Sequence, residues 1–236
     1  MEECNHSLVP VSGNMLGCET CGKISIKMTR GQMDAWMEEN WFTTLSIVML
    51  TVPERSEVFS KLWTEVRRQT FNCHKDHPIL GRIETVVVSG KLRSKGGLSI
   101  GSKRQLGLGN ASGKYVCWLD DDDGISGNYV ETILRLCQDD KDVCTFKSFV
   151  KVPNFWCIVD MNLKNKEDHQ IHAGIVQRRP YHVCAFKKEV IKDCKFPDQN
   201  WDEDAGFLEQ ALPLCHTQAK SESIIHEYRN FNSLAK

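Results

Sequence analysis

Residues 99–129 read SIGSKRQLGLGNASGKYVCWLDDDDGISGNY, and the fold turns on how this stretch is parsed. Ser99 is a helix-capping residue type, and Ile100, Leu106 and Leu108 offer apolar contacts to the helix that follows. Gly113 suits the left-handed residue that ends it. Residues 115–119, Tyr-Val-Cys-Trp-Leu, form an unbroken apolar run of strand length, the pattern of a strand covered on both faces. Asp120, Asp121, Asp122 and Asp123 then fall where that strand leaves the sheet. Adjacent carboxylates repel one another, so solvent or a cation must neutralise them. An exposed acidic loop needs only solvent. A site needs Mg²⁺ or Mn²⁺, hard cations that combine one or two carboxylates with the oxygens of a substrate diphosphate. Two other metal or nucleotide readings fail. An EF-hand requires an acidic or amide residue where Gly124 stands, a later glycine, and a helix rather than a strand in front. Gly107, Gly109 and Gly113 mimic a dinucleotide fingerprint, but they end a helix instead of following a strand.

Upstream, residues 45–52 are a strand that Pro53 stops. Residues 54–71 carry Val58, Leu62, Val66 and Thr70 at helical spacing with charges between, and residues 83–88 are a second strand rich in β-branched side chains. The loop at 89–97 is glycine-rich and basic, with Lys91, Arg93 and Lys95. Downstream of the aspartates, residues 128–137 form another helix. Strands and helices in alternation predict an α/β fold with a parallel sheet and ligands at the strands' carboxyl ends, where the aspartates stand. Beyond residue 143 the pattern loosens. Residues 143–150 and 155–159 are expected as strands, 162–172 as a polar mobile loop, and 184–191 as a short helix. Trp201-Asp202-Glu203-Asp204 opens a helix through Leu212. Acidic residues there complement the helix dipole, or supply a general base for an acceptor hydroxyl.

The amino-terminal segment differs in kind. Cys4-x-His6 and, after eleven residues, Cys18-x-x-Cys21-Gly22 give four ligands with the spacing of a structural, closed Zn²⁺ site. Residues 28–40 read as a linker with a short helix, Met33, Trp36 and Met37 on one face.

The chain has 236 residues, enough for one sizeable core with a small appendage. A formal net charge of −1 implies no global attraction to polyanions, so any nucleic-acid contact must come from a local patch such as Lys91, Arg93 and Lys95 or Arg178, Arg179, Lys187 and Lys188. No apolar run reaches the length of a membrane helix, and the acidic opening Met1-Glu2-Glu3 without an apolar segment after it is unlike a signal peptide. Eleven cysteines, an odd count lying mostly in apolar runs (Cys117, Cys137, Cys144, Cys157, Cys184), fit buried thiols in a reducing cytoplasm better than a disulfide framework. The expected location is cytoplasmic, the host's cytoplasm if the chain is viral.

With the pieces in order, the chain resembles the GT-A glycosyltransferases of family 2. Residues 46–55, SIVMLTVPER, look like that family's first strand and nucleotide-binding turn. Residues 99–108, then ASGKYV at 111–116 and the LDDDD run, are the most specific match. Residues 184–191, the Glu203-Asp204 pair and HEYRNFNS at 226–233 are similar to its acceptor half and closing segment. One departure stands out: Ser89-Gly90 end the second strand where many members carry an aspartate that contacts the nucleoside.

The resemblance implies a Rossmann-like, mostly parallel sheet flanked by helices over residues 44–236. It divides into a nucleotide-sugar half (44–126) and an acceptor half (127–236), preceded by the zinc knuckle (1–30) and linker helix (31–43). It implies an inverting, metal-dependent enzyme using a nucleotide-sugar donor, with a UDP-sugar favoured. Thr51, Pro53, Arg55, Ser89, Lys103, Arg104, Asp120, Asp121 and Asp122 would bind the donor. Asp120 and Asp122 would hold Mn²⁺ or Mg²⁺, although Asp121 offers an overlapping frame. Asp204, or Glu203 beside it, would be the base. Likeness to stand-alone bacteriophage enzymes points to a hydroxymethylated pyrimidine in DNA as acceptor, with a surface glycan, lipid or protein as the alternative. A reading of another class is a non-catalytic, zinc-bearing module that binds nucleic acid or protein.

Overall fold

The computed structural model describes residues 8–12, 15–18, 25–27, 29, 32, 43–77, 80–152, 155–168, 170–172 and 174–229. The amino-terminal part is a small antiparallel sheet of β1 (Leu8–Ser12), β2 (Met15–Cys18) and β3 (Ser25–Lys27). Its register sets Leu8 opposite Cys18. Of the expected zinc ligands, Cys4, His6 and Cys21 lie outside the described residues, and Cys18 is described only as the last residue of β2. Most of the expected linker helix lies outside them too.

The main body is a mixed ten-stranded sheet among the described residues. Its nucleotide-side core is β4 (Thr43–Thr51), with β5 (Arg82–Ser89) and β6 (Tyr115–Asp120) parallel to it on either side. Leu45, Ile47, Val48 and Met49 are fully buried, as are Tyr115 to Leu119, so both strands are covered on both faces as their unbroken apolar runs predict. Helix α1 (Ser56–Asp76) joins β4 to β5 after a 3₁₀ turn over Pro53–Arg55. Its buried stripe is Leu62, Val66, Gln69 and Cys73, and Val58, one turn earlier on the same face, is exposed.

Helix α2 (Ile100–Asn110) starts where the sequence places it, the Ser99 hydroxyl accepting the Ser102 N–H at 3.0 Å. Two details differ from expectation. Leu106 is exposed. Gly113 does not adopt a positive φ; it is needed because a Cβ there would run into Ser46, whose hydroxyl accepts its N–H at 2.8 Å. Gly107 is likewise a close approach, of α2 to Val48 on β4. After β6 come the aspartates, the two-residue β7 (Gly124–Ile125) and α3 (Tyr129–Cys137), which packs on α1.

The second half departs most from a parallel sheet. β8 (Val143–Val152) and β9 (Phe155–Met161) pair antiparallel, β11 (Ile175–Arg178) lies parallel to β9, and β10 (Gln170–His172) pairs antiparallel to β11. The expected helix at 184–191 is instead β12 (Ala185–Lys187), wedged antiparallel between β6 and β8. An apolar run this short does not distinguish strand from helix by spacing, and the gap in the sheet decides it. The expected mobile loop is tied down: the Asn162 N–H and Asn165 amide both donate to the Arg178 carbonyl, and Asp168 pairs with Arg179 at 2.9 Å. Helix α4 (Glu203–Ala211) begins at the expected acidic pair. The closing strand β13 (Gln218–Arg229) runs parallel to β8 and pairs with β7. Among the described residues eight cysteines are free and buried. No helix among the described residues is long and apolar enough to cross a membrane.

Candidate functional site

A cavity of about 820 Å³ opens at the carboxyl ends of β4 and β6, between the parallel strands and the β8–β11 unit. The four aspartates stand at its floor and pair with Arg104, Arg55 and His226. Asp120 accepts from the Arg104 guanidinium at 3.0 Å. Arg55, carried on the 3₁₀ turn after β4, reaches Asp121 at 2.9 Å and Asp122 at 3.0 Å through the same Nη1. Asp123 faces His226 of β13 at 3.1 Å, and His226 is bound on its other nitrogen by the Ser148 hydroxyl of β8 at 3.0 Å. The closing strand therefore fixes the last carboxylate of the run, and Gly124 lets the chain pass under Arg229 and Glu227 where a Cβ would collide.

These partners separate the four protonation equilibria. Burial raises the Asp120 carboxyl, but Arg104 and His182 overcome it and hold Asp120 well below the usual carboxylate range. Burial pushes Asp122 up to about 6, reinforced by Asp120, Asp123 and Asp121 and only partly offset by Arg55. Asp123 is also raised by burial, despite His226. The run thus carries more negative charge than its resident cations neutralise, and the excess falls on Asp122 and on Asp123, whose Oδ1 is buried without a hydrogen-bond partner.

Helix α2 joins this floor to the opposite wall. Its first turn is bound to the chain before α4: Ser99 donates to Asp198 at 2.6 Å and the Ile100 N–H to Asn200 at 2.9 Å. Gly101 packs so close to the Pro197 carbonyl that no side chain fits. Four residues into α2, the buried Lys103 ammonium donates to the backbone carbonyls of Thr51 and Gly90, clasping the ends of β4 and β5. Next to it, Arg104 bridges Asp120 to Glu203 at 3.2 Å, and its Nη1 is buried without a hydrogen-bond partner. Glu203 is therefore committed to an ion pair. Asp204 accepts the Tyr181 hydroxyl and the Ala205 N–H (2.8 Å). Tyr181 carries the Arg178 guanidinium stacked on its ring, 3.7 Å from the centroid.

Of the residues expected from sequence, Thr51, Arg55, Lys103, Arg104, Asp120, Asp121, Asp122, Glu203 and Asp204 all line this one cavity. Pro53 and Ser89 stand outside its lining. Sequence reasoning did not assign Tyr181, His182 or Ser148. His226 was noticed only as part of the closing segment. His182 is buried, with Nε2 3.7 Å from Asp120 and Nδ1 3.5 Å from Asp204. Burial, followed by the charge of Arg104, lowers its pKa to about 4. The far half of the cavity is apolar, formed by Val150, Phe155, Cys157, Val159, Met161 and Val176, with Trp201 at 81% exposure on the rim.

Whether the run fits a divalent ion can be judged from its donor set. Among the described residues no three His, Cys, Asp or Glu side chains form a ready cage. Asp120 and Asp122 nonetheless offer carboxylate oxygens in a cavity large enough for a diphosphate, and an Mg²⁺-type site completes itself with substrate oxygens and water.

No family profile matches the chain, and no curated protein matches its sequence. Solved structures match its fold. S. aureus TarS 1–349 in complex with UDP-GlcNAc superposes with a TM-score of 0.59 at 14% identity, over 80% of this chain and 59% of that one. The structure titled S. aureus TarS gives 0.56 at 15% identity, over 80% of this chain and 37% of its own, and TarS 1–349 with UDP gives 0.54 at 14%. The chain thus shares the TarS fold while spanning about three-fifths of the length of TarS 1–349.

Proposed function

We propose that this chain is an inverting glycosyltransferase of the GT-A type, moving a sugar from a nucleotide-sugar donor, preferentially a UDP-sugar, to an acceptor hydroxyl. The observation that carries the reading is the junction of the acidic run and the Glu203–Asp204 pair in one cavity through Arg104. The shared fold with a protein solved with UDP-GlcNAc and with UDP supports the donor class. Arg55 and Lys103 supply positive charge at the ends of β4 and β5, where the diphosphate would lie. Asp120 and Asp122 would hold Mn²⁺ or Mg²⁺, which when bound neutralises the departing diphosphate. Glu203 is tied to Arg104, so Asp204 takes the proton from the acceptor hydroxyl as that oxygen attacks the anomeric carbon opposite the leaving group.

For the acceptor we propose a hydroxymethylated pyrimidine in DNA, turned out of the helix into the cavity. The apolar half of the cavity supports a flat, weakly polar body beside the reacting hydroxyl. The surface cations add little, since Lys95 pairs with Glu54, Arg179 with Asp168, and Lys187 with Asp140. A structural Zn²⁺ on Cys4, His6, Cys18 and Cys21 remains part of the proposal. In its support stand the sequence spacing of the two ligand pairs and the place of Cys18 at the end of β2, opposite Leu8. One mole of zinc per mole of protein, lost in Cys18→Ser, is the expected metal analysis.

The deciding assay offers labelled UDP-sugars and Mn²⁺ with hydroxymethylcytosine DNA, unmodified DNA and a saccharide in parallel. Label on the modified DNA alone is the expected result, and label on the saccharide alone overturns the acceptor. Asp204→Asn should lower turnover about 10²–10⁴-fold while UDP binding persists; an unchanged rate would remove Asp204 as base. A chain that transfers to nothing and does not bind UDP would return the reading to a non-catalytic module.

A further inference from the structure

His182 is a buried titratable side chain in the cavity that the reaction above leaves without a task, and it faces both the donor-side and the acceptor-side carboxylates. Its side chain is 5% exposed, and neither ring nitrogen has a hydrogen-bond partner, an expensive condition for two polar atoms away from water. Its place is tightly set. The Trp118 N–H, in the middle of β6, donates to the His182 carbonyl at 3.3 Å, and the Tyr181 ring lies 4.3 Å from the imidazole. The ring is thereby held between two carboxylates that sequence separates by 84 positions, Asp120 on the donor side and Asp204 on the acceptor side.

We propose, on the strength of the transferase reading, that His182 is a positioning residue that aims the Asp204 carboxylate and makes that aim depend on what Asp120 is holding. A neutral imidazole has one N–H and one lone pair, so it serves a single carboxylate as donor at a time. At 3.7 and 3.5 Å both carboxylates stand just outside hydrogen-bond length, and a small shift of the ring closes one contact at the expense of the other. When the donor diphosphate engages the Asp120 side, the Nδ1–H tautomer is favoured: the Nε2 proton leaves to cavity water, Nδ1 takes one from cavity water, and the new N–H donates to Asp204. Asp204 then has three fixed contacts, His182, the Tyr181 hydroxyl and the Ala205 N–H, and its remaining lone pair is directed at the acceptor. Arg104 is the rigid link between the same two walls, and His182 is the adjustable one.

The test measures UDP release from UDP-GlcNAc and UDP-glucose with Mn²⁺, donor hydrolysis by water standing in for transfer, in the wild type, His182→Ala, His182→Asn and His182→Gln. An asparagine amide mimics Nδ1 and a glutamine amide mimics Nε2. His182→Ala should lower kcat about 100-fold, the usual loss from misplacing a catalytic group by about 1 Å, with KM for the donor and UDP affinity within about twofold. His182→Asn, which keeps a donor toward Asp204, should recover at least tenfold of that loss, and His182→Gln should not. Wild-type kcat in His182→Ala overturns the proposal, as does equal recovery by both amides or a fall in UDP affinity and Tm that tracks the fall in kcat. Should His182→Ala fail to fold, the near-isosteric Asn and Gln pair carries the same comparison. A wild type that releases no UDP overturns the transferase reading and this inference with it, whereas an active wild type beside an equally active alanine variant overturns the inference alone.

Discussion

The wall of the cavity built from β4, β6 and α2 and the wall built from β8, β9 and β11 differ in what they bury. The first encloses charge: Asp120, Asp121, Asp122 and Asp123 against Arg55, Arg104 and His226, with Lys103 beneath. The second encloses apolar surface and leaves the Phe155 ring exposed at its edge, and Trp201, from the chain before α4, is exposed on the same cavity's rim. A charged, hydrated diphosphate and a weakly polar acceptor make opposite demands on desolvation, and under the proposed function the cavity would meet both by dividing them between two sheet segments. The division also allocates stability. The charges on the first wall lean on ion pairs whose removal leaves a charged partner behind, while the second wall can lose an exposed ring at little structural cost.

Arg104 is the sharpest place to break that contrast. It is the one side chain whose ion pairs reach both Asp120 and Glu203, and it is almost fully buried. Arg104→Met leaves the buried Glu203 and the part-exposed Asp120 without their ion pair, which should cost about 3–5 kcal/mol in urea unfolding. Arg104→Lys keeps the charge but loses the fork that spans two partners, and should fall between. A loss under about 1 kcal/mol in the methionine variant would mean that the first wall is not organised by its charges.

The two walls were also unequally legible in the sequence. Alternating strands and helices with unbroken apolar cores announced β4, β5 and β6, and the Ser99 cap and the acidic run placed the site at their ends. Those signals are local. The second wall depends on non-local pairing: β12 is a strand only because β6 and β8 leave a gap for it, and nothing in residues 184–191 says so. Asp120–Asp122 and Glu203–Asp204 were nameable because clustered carboxylates are unusual. Arg104 was nameable as a cation for the donor, but its role in joining the two groups was not, since it meets Glu203 across 99 positions. His182 and Ser148 gave no signal at all: a lone histidine or serine in an apolar segment reads as ordinary core. Gly113 was recognised as necessary for the wrong reason, because crowding against Ser46 leaves no mark that a turn glycine would not also leave.

Asp122 offers a smaller and oppositely signed test of the first wall. Its folded pKa, about 6, lies above the ordinary carboxylate value of 3.8, so its ionisation is disfavoured by folding. The stability associated with the protonated form is present below about pH 4 and is lost as pH rises through about 6. Asp122→Asn should therefore unfold at higher urea than the wild type at pH 8, by about 2 kcal/mol, and match it near pH 4. The same substitution should abolish the thermal shift that UDP with Mn²⁺ gives the wild type. A stabilised variant that has lost its ligand response is the signature of a site kept strained for function. A variant destabilised at pH 8 would mean instead that Arg55 satisfies Asp122 in full.

Trp201 carries the smallest expected effect and addresses the second wall directly. The ring is 81% exposed on the cavity rim, next to Asp202, whose backbone is held in the left-handed region at φ 58°. An indole left in water contributes almost nothing to folding, so its removal should leave Tm and urea midpoint unchanged. A chain that places the largest apolar side chain there, on a residue adjoining a strained one and two positions from Glu203, gains from it only when something covers it. Stacking of a planar ring on an aromatic side chain is worth about 1–3 kcal/mol by alanine substitution. Trp201→Ala should thus raise KM for a hydroxymethylated-pyrimidine acceptor by roughly tenfold, with kcat and the donor KM unmoved, and Trp201→Phe should restore most of it. A rise in the donor KM instead would assign Trp201 to the nucleotide side. An unchanged acceptor KM would leave Phe155, 57% exposed on the β9 edge, as the ring against which the acceptor lies, and the same measurement on Phe155→Ala would then locate it.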